Sequence, residues 1–196
     1  MNAFLESEAR VYRMNVTPAF RFQLAPPSRE LPPVVPGQFD TLDIALWSLK
    51  MRWWSWKQRF GHDLVNADIQ MYVLYHALNG NKELGISVGM RKGRYGIVKA
   101  YARQSQQPTN HVIFTHELMH VLGASDKYVL TTGEPIHPDG FAEPDRTPLY
   151  PQRYAEIMGG RLPVGPGLYS VPTSLDQCRI GRATAREIGL FDLLTP

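Results

Sequence analysis

His116-Glu117-Leu118-Met119-His120-Val121-Leu122-Gly123-Ala124-Ser125-Asp126 is the stretch from which the rest of the chain can be read. It opens on H-E-x-x-H. On a helix, residues i and i+4 share a face, so His116 and His120 can both reach one metal ion. Neutral imidazole is a good zinc ligand. Glu117 is placed to act as general base toward a water that the metal activates. Val112, Ile113, Leu118, Met119, Val121 and Leu122 give the segment the apolar cover that a metal-site helix needs. In a chain with 6 His, H-E-x-x-H alone arises by chance on the order of once in a hundred sequences. Gly123 and Asp126 extend the pattern to H-E-x-x-H-x-x-G-x-x-D, which lowers chance to a few in about a hundred thousand. Gly123 can take a positive φ, end the helix and turn the chain, so that Asp126 returns to the metal as an anionic third ligand. His137, or another residue of the following loop, is the competing third ligand.

Downstream, residues 127–157 carry no long periodic segment and are punctuated by Pro135, Pro138, Pro144, Pro148 and Pro151, so a long ordered loop is expected. Tyr128, Tyr150 and Tyr154 are candidates to face a cleft there. A last helix is expected within Leu175–Gly189, with Ser174 and Gln177 in capping-box spacing. Upstream, Pro108-Thr109-Asn110 introduces the metal helix at about Asn110. Leu84–Met90 and Tyr95–Tyr101 flank Arg91-Lys92-Gly93-Arg94 as a hairpin, and Ile69–Tyr75 reads as a further strand. A long helix is expected from Asp40 or Thr41 to about Phe60, stopped by Gly61. One apolar stripe runs through Leu42, Leu46, Leu49, Trp53, Trp56 and Phe60, and a second through Ile44, Trp47, Met51 and Trp54. A helix apolar on two sides is covered twice. The sheet and the residues before Val16 are the expected covers, and a partner protein or a membrane surface the alternative. Ala25–Gly37, with five prolines, reads as an extended connector, and Val16–Leu24 as a first strand.

The extended motif resembles the metzincin clan of zinc metalloendopeptidases, whose long motif carries a third His. Asp126 in that place is similar to the snapalysin-like variant. Glu156-Ile157-Met158-Gly159-Gly160 looks like the clan's Met-turn, and the order of elements from about Val16 to Leu190 is similar too. The resemblance implies an α+β, zincin-like single domain over 1–196, with residues 1–15 as an N-terminal extension and 127–157 as a loop excursion. It implies a mixed twisted sheet with an antiparallel edge strand, the long helix, the metal helix, the Met-turn at Met158 and a C-terminal helix. It also implies one Zn2+ per chain on His116, His120 and Asp126, with Glu117 catalytic. A peptide or protein substrate would lie along Gly85, Ile86, Ser87 and Val88, with a side-chain pocket near Gly159 and Gly160. Some metzincins place a Tyr two residues after the Met. Here that position is Gly160, and Tyr128 is the candidate for transition-state assistance. An Asp ligand in place of His adds negative charge at the metal, so a lower intrinsic rate or a higher optimum pH is expected.

The 196 residues are enough for one domain with a proper core and too few for two full ones. The lone Cys178 excludes an internal disulfide and a Cys-based zinc knuckle. A net charge of +3, spread along the chain, does not make the dense stripe of a nucleic-acid binder, so no nucleic acid is expected. The first ten residues lack the basic and apolar regions of a signal peptide, and no apolar run is long enough to span a membrane. A cytoplasmic location is the expectation unless a leader has been removed. The competing functional class is a zinc-containing binding or scaffold domain with little peptidase activity, using the tryptophan-rich helix at Trp47 and Trp54 to hold a protein partner.

Overall fold

Tyr95–Tyr101 (β3) is buried at five of its seven positions and is the centre of the main sheet. The molecule is represented by a computed structural model that describes residues 1–14, 18–28, 30–36, 41–59, 67–77, 85 and 87–190. On one side of β3 runs Gln70–His76 (β1), parallel, with Gln70 opposite Tyr95 and His76 opposite Tyr101. On the other runs Val88–Met90 (β2), antiparallel, with Gly89 opposite Gly96. The order β1-β3-β2 makes a mixed sheet whose antiparallel edge is β2. β2 and β3 are joined by a single turn of 3-10 helix at Arg91–Gly93, closed by Arg94 in the left-handed region at φ 53.

The helix Gln107–Leu122 (α3) lies against β3 and β2. It starts three residues earlier than the sequence reading, because Pro108 occupies a first-turn position where no N–H is needed. Asn110 is therefore inside the helix. Its buried side chain accepts from the Tyr101 N–H and donates to the Tyr101 carbonyl, both at 2.9 Å. That amide continues the end of β3 as a neighbouring strand would, and so fixes the helix to the sheet. At the other end Gly123 has φ 117. The Gly123 N–H reaches the His120 carbonyl at 3.0 Å and the Ala124 N–H reaches that of Met119 at 2.9 Å, a Schellman closure.

Beyond α3 the chain is mostly irregular until Ala155–Glu156 (β4), as expected for residues 127–157. A short hairpin follows, Leu162–Gly165 (β5) with Leu168–Ser170 (β6). The last helix expected within Leu175–Gly189 occupies only the second half of that span: a 3-10 turn at Leu175–Gln177 first leads into Cys178–Arg179 (β7), which pairs parallel with β4. Only then does the short helix Arg182–Glu187 (α4) form. Ser174 makes no side-chain cap. Gln177 instead accepts from the Thr173 N–H at 2.7 Å.

The residues expected to form an N-terminal extension fold as a helix, Asn2–Val11 (α1). Leu5, Glu8 and Ala9 are buried. Glu8 accepts from the Ile180 N–H at 2.8 Å, and the Tyr12 hydroxyl donates to the Ile180 carbonyl at 2.6 Å. The segment thus docks on the C-terminal part of the chain. Residues 18–24 of the expected first strand form no strand, since alternation alone supplies no hydrogen-bonding neighbour, and Val16 and Thr17 lie outside the described residues.

The chain separates into two compact units: Met1–Arg21 with Gln70–Pro196, and Phe22–Ile69. The second unit holds the long helix Thr41–Arg59 (α2), whose expected ends at Asp40 and Phe60 lie outside the described residues. The proline-rich connector runs beside it, with the Trp47 indole donating to the Pro33 carbonyl at 3.1 Å and the Ser28 hydroxyl to Gln58 at 2.8 Å. Only one apolar stripe of α2 is covered. Trp47 and Trp54 are 5% and 7% exposed, whereas Leu42, Leu49 and Trp53 are 63–72% exposed. Trp47 and Trp54 are thus packed inward and cannot present a partner surface. The architecture is α+β, with four α-helices among the described residues, and no helix among them is long and apolar enough to cross a membrane.

Candidate metal centre

The helical repeat and the Schellman turn bring three donor atoms together. His116 Nε2 and His120 Nε2 are 3.2 Å apart, and Asp126 Oδ1 lies 3.2 Å from each. Atoms bonded at about 2.0–2.1 Å to a tetrahedral zinc lie about 3.3 Å from one another. The triangle therefore has the edge length of one face of such a site.

Hydrogen positions follow from the outer contacts. His116 Nδ1 is 2.9 Å from the Ile157 carbonyl, and His120 Nδ1 is 2.9 Å from the Ala124 carbonyl. A carbonyl only accepts, so each Nδ1 carries the hydrogen and each Nε2 is left as a bare lone pair. Neither ring then has a hydrogen to give Asp126 Oδ1, which is buried with no hydrogen-bond partner. Two lone pairs and a carboxylate oxygen facing one point at 3.2 Å repel one another unless a positive charge sits among them. Burial works against a charged His120, but Asp126, the Ala124 carbonyl and Glu117 outweigh it and raise its pKa. Burial pushes the Asp126 carboxyl up, yet the two imidazoles hold it well below the usual carboxylate range. The donor set fits a divalent cation of the zinc type, and among the described residues it leaves one tetrahedral position without a protein ligand.

Glu117 adjoins this triad, buried on α3. Burial lifts its pKa, the neighbouring His116 and His120 oppose the lift, and the Asp126 charge adds to it. The Gly89 backbone amide on the edge strand lowers the pKa as well, and Oε2 is buried with no partner. Glycine is required at 89. A Cβ there would stand 2.4 Å from the Glu117 carbonyl oxygen and 2.6 Å from His120 Cβ.

The turn at Glu156–Gly160 supports two of the donors. Its Ile157 carbonyl orients His116, and its Met158 carbonyl accepts from the Lys127 N–H at 2.9 Å, next to Asp126. Met158 is fully buried. The turn is tied by the buried Glu156 carboxyl, which takes the Met158 and Gly159 N–H groups on one oxygen and the Gly181 N–H and Thr184 hydroxyl on the other. On the far side of Asp126, the buried Lys127 ammonium donates to the Ser125 carbonyl at 3.0 Å and to Glu187 on α4 at 2.6 Å. Glu187 also takes the Ser125 N–H and hydroxyl. Ser125, Asp126 and Lys127 are thereby held between the turn and α4. Sequence reading misses Lys127, Glu187, Ala124 and Ile157 in these roles. Gly89 alone had a visible signal, a glycine inside a strand pattern.

Of the other expected residues, Val88 lies on the edge strand, Gly85 and Ser87 precede it, and Ile86 falls outside the described residues. The Ser87 hydroxyl accepts from the Lys99 N–H at 3.0 Å. Gly159 is buried against the Gly140 carbonyl, and Gly160 faces the Tyr128 ring. Tyr128 stands beside His116, ring centres 6.4 Å apart. Burial and the charge of Asp126 push its phenol up to about 12. Tyr150 packs on Phe141, and Tyr154 lies under the Arg179 guanidinium. His137, the competing ligand, is exposed and contacts the Pro144 carbonyl and Phe141 rather than the triad. Cys178 is fully buried, and burial raises its thiol to about 12, which rules it out as a nucleophile. No protein-family model, curated protein or solved structure matches the chain.

Proposed function

We propose that the protein is a zinc-dependent peptidase of metzincin-like design, in which His116, His120 and Asp126 hold the ion and Glu117 is the general base. The observation that carries the reading is the triad itself: two Nε2 lone pairs and an unpartnered carboxylate oxygen at 3.2 Å, with the free Oε2 of Glu117 alongside. When bound, zinc acidifies a water and polarises a carbonyl. Glu117 takes the proton of the attacking water on Oε2 and returns it to the leaving amine nitrogen. Burial favours this role, because a carboxyl whose pKa is lifted holds a proton more readily between the two transfers. A purely structural zinc site has no need of such a group and uses four protein ligands.

Recognition follows from the edge strand. Among the described residues β2 pairs with β3 on one side only, so an extended peptide can add to its other side by main-chain hydrogen bonds, with Val88 and its neighbours shaping the side-chain pockets. The Gly89 contact sets Glu117 at the same edge. The test is metal analysis joined to cleavage of a broad peptide library. About one zinc per chain is expected. Glu117→Gln should keep the zinc and lose at least about 10²–10⁴-fold in hydrolysis. A variant that cleaves as fast as the parent, or a parent that holds zinc and cleaves nothing, would sink the proposal.

A further inference from the structure

The open face of α2 is a second functional candidate, independent of the zinc site. At 100° per residue, Leu42, Leu46, Leu49, Trp53 and Trp56 fall within an arc of about 80°. All are exposed, from 48% for Trp56 to 72% for Leu42. The opposite arc, with Trp47, Met51, Trp54 and Ser55, is buried. The helix therefore already uses one face for packing, and this one is left over. Trp53 and Trp56 stack with ring centres 5.0 Å apart. Val34 of the connector borders the same surface beside Leu46 and Lys50.

The rims of the face identify its occupant. Lys50 and Lys57 flank one side of the arc and Arg52 the other, and all three are exposed. The helix carries four Lys or Arg against the single acid Asp43. The neighbouring acid Glu30 lies 3.6 Å from Lys57, and that pair is largely exposed. An apolar strip that carries two tryptophans and has cations along both edges matches the section of an anionic bilayer. Acyl chains meet the strip, and phosphate and carboxylate headgroups meet both edges. A second copy of the chain would set the same cations against themselves. We propose that α2 lies flat on anionic lipid through Leu42, Leu46, Leu49, Trp53 and Trp56, with Lys50, Arg52 and Lys57 on the headgroups.

The test uses the full chain with phosphatidylcholine vesicles, with and without phosphatidylserine, at low and high salt. Flotation with the phosphatidylserine vesicles at low salt is expected, with a blue shift in tryptophan emission and quenching by lipids brominated on the acyl chains. Lys50→Gln with Arg52→Gln should weaken partitioning about 30-fold, since each basic residue near such a surface contributes about five-fold. Trp53→Ser with Trp56→Ser should abolish the quenching. These side chains are exposed, so thermal melts of the variants should match the parent. Should a variant fail to fold, bromolipid quenching of the parent still decides. Equal binding to neutral vesicles, binding without quenching, or binding unchanged in the tryptophan variant would overturn the proposal. So would a concentration-dependent dimer lost in that variant. No vesicle binding at all would overturn it in favour of a protein partner.

Discussion

Gly89 sits where a methyl group cannot. Gly89→Ala forces a Cβ against the Glu117 carbonyl oxygen and His120 Cβ, so strand and helix must part. The expected cost is about 1–3 kcal/mol by thermal melting, with hydrolysis falling further than stability because the Glu117 contact moves. Glu187 acts at longer reach. It holds Ser125 and Lys127 on either side of Asp126. Glu187→Gln removes the charge from that clamp, and zinc affinity, measured by competition with a chelator, should fall about 10–100-fold. The same residue has a pH signature. Burial raises its pKa, but Lys127 and Ser125 outweigh it and hold it below 4.5. Its contribution is then complete above about pH 4.5 and lost as pH falls through the lower folded value. The melting temperature of the zinc-free parent should drop between about pH 5 and 3, and the Glu187→Gln variant should start lower and slope less. The three candidate donors were legible as a cluster because a helix fixes the spacing of His116 and His120 and Gly123 turns the chain toward Asp126. Glu187 was not, since it lies 62 residues from Ser125 and no local pattern links them.

At the scale of elements, the turn at Glu156–Gly160 is a backbone knot around one carboxyl. Glu156→Ala would take the acceptor from the Met158 and Gly181 N–H groups and the buried Thr184 hydroxyl, each costing about 1–3 kcal/mol, while the Gly159 N–H keeps the Glu156 carbonyl. A loss of at least about 3 kcal/mol is expected in denaturant unfolding, with zinc bound more weakly because the Ile157 and Met158 carbonyls shift. An Ala variant as stable as the parent would show that water replaces the carboxyl. The sequence announces this turn by its Met-Gly character but conceals the knot, whose Gly181 and Thr184 donors come from a distant segment. Strands were legible where two apolar runs were joined by a short basic turn, as at Val88–Tyr101. Residues 18–24 had the right alternation and found no neighbour. In α2 both stripes were visible, but which of them would be buried depends on partners that periodicity does not name.

At the scale of the whole molecule, α1 closes the chain on itself. Deleting residues 1–14 exposes the surface under Leu5 and Ala9 and strands the Ile180 N–H. Together these should cost about 3 kcal/mol. The melting temperature would then fall by roughly 5–10 °C, and an unchanged melt would mean that α1 is only loosely attached. The candidate metal site has a different kind of resilience. Both imidazoles direct their outward N–H to a main-chain carbonyl, at Ile157 and Ala124. Every amino acid carries that group, so no single codon change can delete either contact. Descendants of this gene can exchange Ala124 and Ile157 repeatedly while the ring tautomers are inherited intact. At these two contacts selection guards the path of the main chain rather than the letter at 124 or 157, in contrast to Gly89, Glu156 and Glu187, whose side chains, or lack of one, are themselves the contact.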